Sequence, residues 1–104
     1  MSSEIISQIN NLPIGSKVAL VTIIQRVGSA PREPGTKMLV YPDGRIEGTI
    51  GGGCVEAEVR QKALDAMDEG LPIRHRVQLT LDQAEEEGMA CGGRIDVFIE
   101  PILA

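Results

Sequence analysis

Apolar and polar positions along the chain follow two periods. Ile5, Ile9 and Leu12 recur at helical spacing behind Ser3, and Asn10, Asn11 and Pro13 end the pattern. A short N-terminal helix capped by Ser3 is therefore expected. Val18 to Ile24 is almost entirely apolar and β-branched, which predicts a central strand buried on both faces. Met38 to Tyr41 and Ile46 to Ile50 flank Pro42-Asp43-Gly44-Arg45 and read as a hairpin. From Cys54 to Glu69, the residues Val55, Val59, Ala63, Ala66 and Met67 form the apolar stripe of a helix. Glu56 and Arg60, and Glu58 and Lys62, are spaced to pair on its other faces, and Gly70 followed by Pro72 stops it. Ile73, His75, Val77, Leu79 and Leu81 alternate with Arg74, Arg76, Gln78 and Thr80, the signature of a half-buried strand. Ile95, Val97 and Ile99 predict a last strand that Pro101 closes. The expected fold is α+β: a single, mostly antiparallel or mixed sheet with two main helices packed on one face.

The segments between these elements carry the chemistry. Gly28-Ser29-Ala30-Pro31-Arg32-Glu33-Pro34-Gly35 contains too much proline and glycine for regular structure. Arg32 offers a planar fork suited to phosphate, and Ser29 a hydroxyl donor; Lys37 is a weaker candidate of the same kind. Gly48-Thr49-Ile50-Gly51-Gly52-Gly53-Cys54 joins a strand to a helix. Its glycines let the backbone approach a ligand, and the helix start presents unpaired N–H groups and positive dipole, so Gly51, Gly52 and Gly53 form a candidate anion cradle. No Gly-Lys-Ser/Thr follows, and the spacing is not that of a dinucleotide-binding fingerprint. Cys54 at the helix N-terminus is a candidate reactive thiol or soft-metal ligand, opposed electrostatically by Glu56 and Glu58. Gly88-Met89-Ala90-Cys91-Gly92-Gly93 is a second glycine loop bearing a cysteine, so both loops are expected to converge on one pocket. His75 shares the apolar face of its strand and is expected to be a hydrogen-bonded core residue. Asp82, Glu85, Glu86 and Glu87 read as a solvated acidic surface.

Composition narrows the field. The chain has 104 residues, enough for one domain, and its only aromatics are Tyr41 and Phe98, so aliphatic side chains must build the core. A net charge of −5 without a basic run excludes nucleic acid and anionic membrane as general partners. No apolar run is long enough for a membrane span, and no basic-then-apolar leader opens the chain, so a cytoplasmic location with reduced thiols is expected. Cys54 and Cys91 are too few for a structural zinc site.

Taken in order, these loops resemble the XdhC/CoxI family. The resemblance runs from Val21-Thr22-Ile23 through Gly28-Ser29-Ala30-Pro31-Arg32 and Pro34-Gly35-Thr36-Lys37-Met38. It continues with Gly48-Thr49-Ile50-Gly51-Gly52-Gly53-Cys54-Val55-Glu56, and ends with Gly88-Met89-Ala90-Cys91-Gly92-Gly93 and Val97-Phe98-Ile99-Glu100-Pro101. It implies a non-catalytic module that binds molybdopterin, in mononucleotide or dinucleotide form. Such a module favours the sulfurated cofactor and delivers it to a molybdenum hydroxylase such as xanthine dehydrogenase. On that reading, Ser29, Arg32, Gly51, Gly52, Gly53 and Gly92 hold the anionic end, while Cys54, with Cys91 second, faces the molybdenum or its sulfido ligand. The implied partners are the client enzyme and a cysteine desulfurase. Typical members continue into a Rossmann-like domain, whereas residues 1–104 are expected to form a single XdhC/CoxI-like domain. Two other readings stand beside this one: a sulfur-transfer or redox enzyme using the Cys54 thiol, and a structural or regulatory subunit that pairs with a separate Rossmann-domain protein. Exposed sheet edges also make a homo-oligomer an expectation.

Overall fold

The computed structural model describes residues 2–28, 32–78 and 93–104. Its elements are α1 (Ser2–Asn10), β1 (Lys17–Val27), β2 (Lys37–Val40), β3 (Ile46–Gly48), α2 (Gly53–Glu69), β4 (Ile73–Gln78) and β5 (Arg94–Leu103). The five strands form one sheet in the order β3-β2-β1-β5-β4, antiparallel throughout, which is the expected α+β fold.

The helices do not share a face of the sheet. Ala19, Val21 and Ile23 of β1 join Met38, Val40, Val97 and Ile99 under Val55, Val59, Ala63 and Ala66 of α2. Val18 and Leu20, one residue out of phase, join Leu39 and Tyr41 against Ile5 of α1. The expectation of helices on one face is thereby corrected. A strand apolar on both faces at the centre of a sheet needs cover on both, because either apolar row left in water forfeits its burial free energy.

Two strands run further than the pattern predicts. Beyond Ile23 the register with β5 shifts: Ile23 lies opposite Val97, but Gln25 lies opposite Asp96, so Ile24 is an extra residue and β1 is bulged there. The strand then continues through polar Gln25 and Arg26 to Val27 because β5 supplies partners as far as Arg94. At the other end Pro101 does not close β5, which continues to Leu103. The Ala104 N–H donates to the Ser16 carbonyl at 2.9 Å. That phase turns the nitrogen of Pro101 away from β1, toward the side where β4 has already ended, with Ile73 opposite Ile99. Proline is tolerated there because no ladder bond is lost.

The hairpin turn follows its sequence. The Gly44 N–H donates to the Tyr41 carbonyl at 2.9 Å, Asp43 Oδ1 accepts from the Arg45 N–H at 2.9 Å, and the Arg45 guanidinium lies 4.2 Å from the Tyr41 ring centroid. Gly70 caps α2, its N–H bonded to the Ala66 carbonyl at 2.8 Å.

Candidate functional site

The sheet topology gathers the ends of the glycine-rich segments. Val27 and Gln78 both lie opposite Arg94, so Gly28 and Gly93 sit at the same end of the sheet as the close of β4. Because α2 and β4 are joined by the short turn at Gly70, β4 runs back along α2. His75 reaches Glu58 near the N-terminal end of that helix, with Nε2 and Oε2 2.6 Å apart. The start of α2 therefore lies at this same end.

Residues 32–36 fold onto β1. The Gly35 N–H donates to the Ile23 carbonyl at 2.7 Å, and the Ile23 N–H donates to the Thr36 carbonyl at 2.9 Å. This draws Arg32 and Lys37 to one side of a cleft of about 520 Å³. Gly48 and Thr49 close it from the β3 side, Glu47 adds a carboxylate, and Glu4, Ile5 and Gln8 of α1 form the wall. A volume of this size accommodates a small organic ligand. Gly48 has φ +86°, and a Cβ there would stand 3.0 Å from the Lys37 carbonyl oxygen. The position accepts glycine alone without strain, and the bare backbone leaves the cleft floor open.

Thr49 links the cleft to the start of α2. Its hydroxyl donates to the Glu56 carboxylate and accepts from the Gly51 N–H at 3.3 Å. Gly52, the residue before the helix, has φ 108° and ψ −175°, a conformation essentially confined to glycine, and its carbonyl accepts the first helical bond from Glu56. The N–H groups of Gly53, Cys54 and Val55 thus begin the helix without intrahelical acceptors. Glu56 already supplies negative charge to this end of the dipole. A further anion is accordingly held best by the cations of the cleft, with the glycine backbone alongside.

Among the sequence candidates, Arg32 lines the cleft, joined by Lys37 and Thr49; Gly51, Gly52 and Gly53 adjoin it at the helix start but are not part of its lining. The backbone of Cys54 is in the first turn of α2, and its side chain lies outside the described residues. So do Ser29, Cys91 and Gly92, together with Leu79, Leu81 and the acidic run 82–87. His75 is hydrogen-bonded as expected, but its side chain is 21% exposed and pairs with Glu58 at the rim instead of sitting in the core. Glu56 and Glu58 therefore turn to Thr49 and His75 in place of the expected Arg60 and Lys62.

One cluster escaped sequence reasoning. Asp96 is buried, at 1% exposure, beneath three arginines. Arg76 Nε donates to Oδ1 at 3.1 Å, an Arg74 terminal nitrogen to Oδ2 at 3.5 Å, and Arg94 Nε lies 3.4 Å from Oδ1. Burial by itself would raise the pKa of Asp96. The hydrogen bond and charge of Arg76, the charge of Arg94 and the hydrogen bond of Arg74 outweigh it and hold the carboxyl below its ordinary value. The signal lay in the pattern: Arg74, Arg76, Arg94 and Asp96 all occupy even positions of adjacent strands, the face opposite α2.

The sequence profile of the XdhC and CoxI family matches residues 14–78. The chain belongs to that family. Among XdhC/CoxI relatives, YqeB of Escherichia coli K12 is 41% identical over 81 residues, which are 78% of this chain and 15% of YqeB. The molybdenum cofactor insertion chaperone PaoD of the same organism is 43% identical over 56 residues, 54% of this chain and 18% of PaoD. The crystal structure of a xanthine dehydrogenase from Bacillus halodurans superposes with a TM-score of 0.77 at 29% identity, over 94% of this chain and 29% of that one. The chain thus spans less than a third of each. Among the described residues, no helix is long and apolar enough to cross a membrane.

Proposed function

We propose that this XdhC/CoxI domain holds the anionic end of molybdopterin as part of a module that delivers the cofactor to a molybdenum hydroxylase. The observation that carries the reading is the cleft in which Arg32 and Lys37, from one glycine-rich segment, face Gly48 and Thr49 from the next. The fit is chemical. Two cations and a bare backbone stretch can meet a phosphate, while Glu4 and Glu47 in the same lining keep the cleft from being a general anion trap. Its volume admits a pterin beside that phosphate. Bound molybdopterin would contribute its molybdenum and dithiolene, a soft centre that suits the Cys54 and Cys91 thiols. The insertion-chaperone function named for PaoD supports the same reading. The proposed partners are the client hydroxylase and a cysteine desulfurase, in the cytoplasm.

The test is titration of the purified protein with molybdopterin, followed by pterin fluorescence. Saturable binding is expected, weakened about tenfold by Arg32→Ala and by Lys37→Ala through loss of charged hydrogen bonds. Cys54→Ala should leave phosphate-end affinity intact and abolish the preference for the sulfurated form. Binding that does not saturate, or that neither cation variant changes, refutes the proposal.

A further inference from the structure

Strand β4 is one edge of the sheet. The Ala104-to-Ser16 bond fixes the phase of β5: its even positions bond to β1, and its odd positions, Ile95, Val97 and Ile99, bond to Val77, His75 and Ile73 of β4. The backbone N–H and C=O groups of Arg74, Arg76 and Gln78 therefore point out of the sheet, and among the described residues no strand takes them.

The two sides of this edge carry opposite charge. On the face away from α2, three guanidinium groups share the single carboxylate of Asp96, a surplus of two positive charges in a chain whose net charge is −5. Arg74 and Arg76 are 64% and 58% exposed, so Asp96 fixes one nitrogen of each and leaves the remaining donors outward. On the α2 side, Asp65, Asp68 and Glu69 line a shallow groove of about 460 Å³ beside β4; Lys62 from the helix and Arg74 from the strand also line it, and the three acids outnumber them. A free phosphate would satisfy the arginines but not the row of backbone groups between the two charged sides. A polypeptide in extended form satisfies all three, because its side chains alternate between faces.

We infer that the β4 edge receives an extended segment of a partner protein in which acidic and basic residues alternate, the acidic ones over Arg74 and Arg76 and the basic ones toward Asp65, Asp68 and Glu69. The geometry is β-strand addition with a charge register. A slip of one residue would place acid against acid along the whole contact, so the edge selects pattern as well as composition.

The test uses the full chain, labelled with ¹⁵N, and two ten-residue peptides of equal composition at low ionic strength: one alternating Glu and Lys, the other five Glu followed by five Lys. With the alternating peptide, amide exchange at Arg74, Arg76 and Gln78 should slow about tenfold while that of His75 and Val77, already bonded to β5, stays unchanged. The block peptide should leave all five amides unaffected. Arg74→Gln, which removes the charge and keeps a hydrogen-bond donor beside Asp96, should weaken the alternating peptide about threefold by removing a cross-strand attraction, and Lys62→Glu should not weaken it. Several results overturn the inference. Equal protection by the block peptide does so, as does exchange unchanged by either peptide, the outcome if the arginines only guard the edge. Inorganic phosphate shifting the arginine side-chain signals while the peptide leaves the edge amides unprotected also overturns it.

Discussion

Gly48→Ala separates two costs that are usually confounded. Gly48 and Gly35 have nearly equal backbone angles, φ +86° and +91°, but a Cβ on Gly35 would meet nothing within 4 Å. At Gly48 the new methyl would stand 3.0 Å from the Lys37 carbonyl oxygen and 3.3 Å from Ile5 Cδ1. The Ile5 terminus can rotate away. The carbonyl cannot easily move, because Lys37 is paired with Thr22 and its neighbour Met38 with Gly48 itself. Left-handed backbone costs an L-residue about 1–2 kcal/mol, and this applies to both variants. Overpacking against a fixed backbone atom adds about 1–3 kcal/mol, and this applies to Gly48 alone. Urea unfolding should therefore show Gly35→Ala destabilised by about 1 kcal/mol and Gly48→Ala by about 3 kcal/mol. The thermal midpoint of Gly48→Ala should fall by roughly 10–20 °C, given the few degrees per kcal/mol of a domain this size. Losses equal to within about 0.5 kcal/mol would refute the argument, since backbone strain alone would then account for both.

Other substitutions probe separate parts of the molecule. Asp96 has a folded-state pKa below its unfolded value, so its ionised form stabilises the fold at every pH above about 4, and that contribution is lost as pH falls through the depressed value. Asp96→Asn should cost about 2 kcal/mol at neutral pH through weakened charged hydrogen bonds, and urea titrations at pH 7 and pH 3 should show a shallower acid dependence than in the parent; an unchanged dependence refutes the assignment. Thr49→Val removes both the donor to Glu56 and the acceptor for Gly51 and should cost about 1 kcal/mol by chemical unfolding, with a loss near zero showing that the bridge contributes nothing. Leu39→Ala, fully buried under α1, should cost about 2–5 kcal/mol; a smaller loss would mean that the α1 face is not a core.

What the sequence disclosed follows from how local each signal is. The stripe from Val55 to Met67 needs only its own periodicity, and all five of its residues are buried. The doubly apolar run from Val18 to Ile24 announced the central strand, and taken to its consequence it also required a helix on either side; Ile24, at the bulge, is left exposed. The extension of β1 through Gln25 and Arg26 depends on a partner strand far along the chain, which no local pattern contains. Pro101 misled for the same reason: its tolerance depends on where β4 stops. At the site, Arg32 and Lys37 were recognisable from their glycine and proline surroundings, but their meeting with Gly48 and Thr49 is set by the pairing of β2 with β3. The arginines over Asp96 were legible as even positions in two strands only once those strands were known to be neighbours.

The extra residue at Ile24 works as a half-turn gearing between the sheet and the loop that follows β1. Upstream of it the odd residues of β1 face α2; downstream the parity is reversed, so Arg26 shares the side of Ile95 and reaches Glu33 at 2.9 Å. Were Ile24 taken into the ladder instead of bulged, Gln25 would fall opposite Ile95 and Arg26 opposite Arg94, turning Arg26 to the face away from α2 and launching the Arg32 segment from the other side. The irregularity at Ile24 thus sets the phase of everything from Gln25 to Gly28, a property that a residue-by-residue comparison of side chains would overlook.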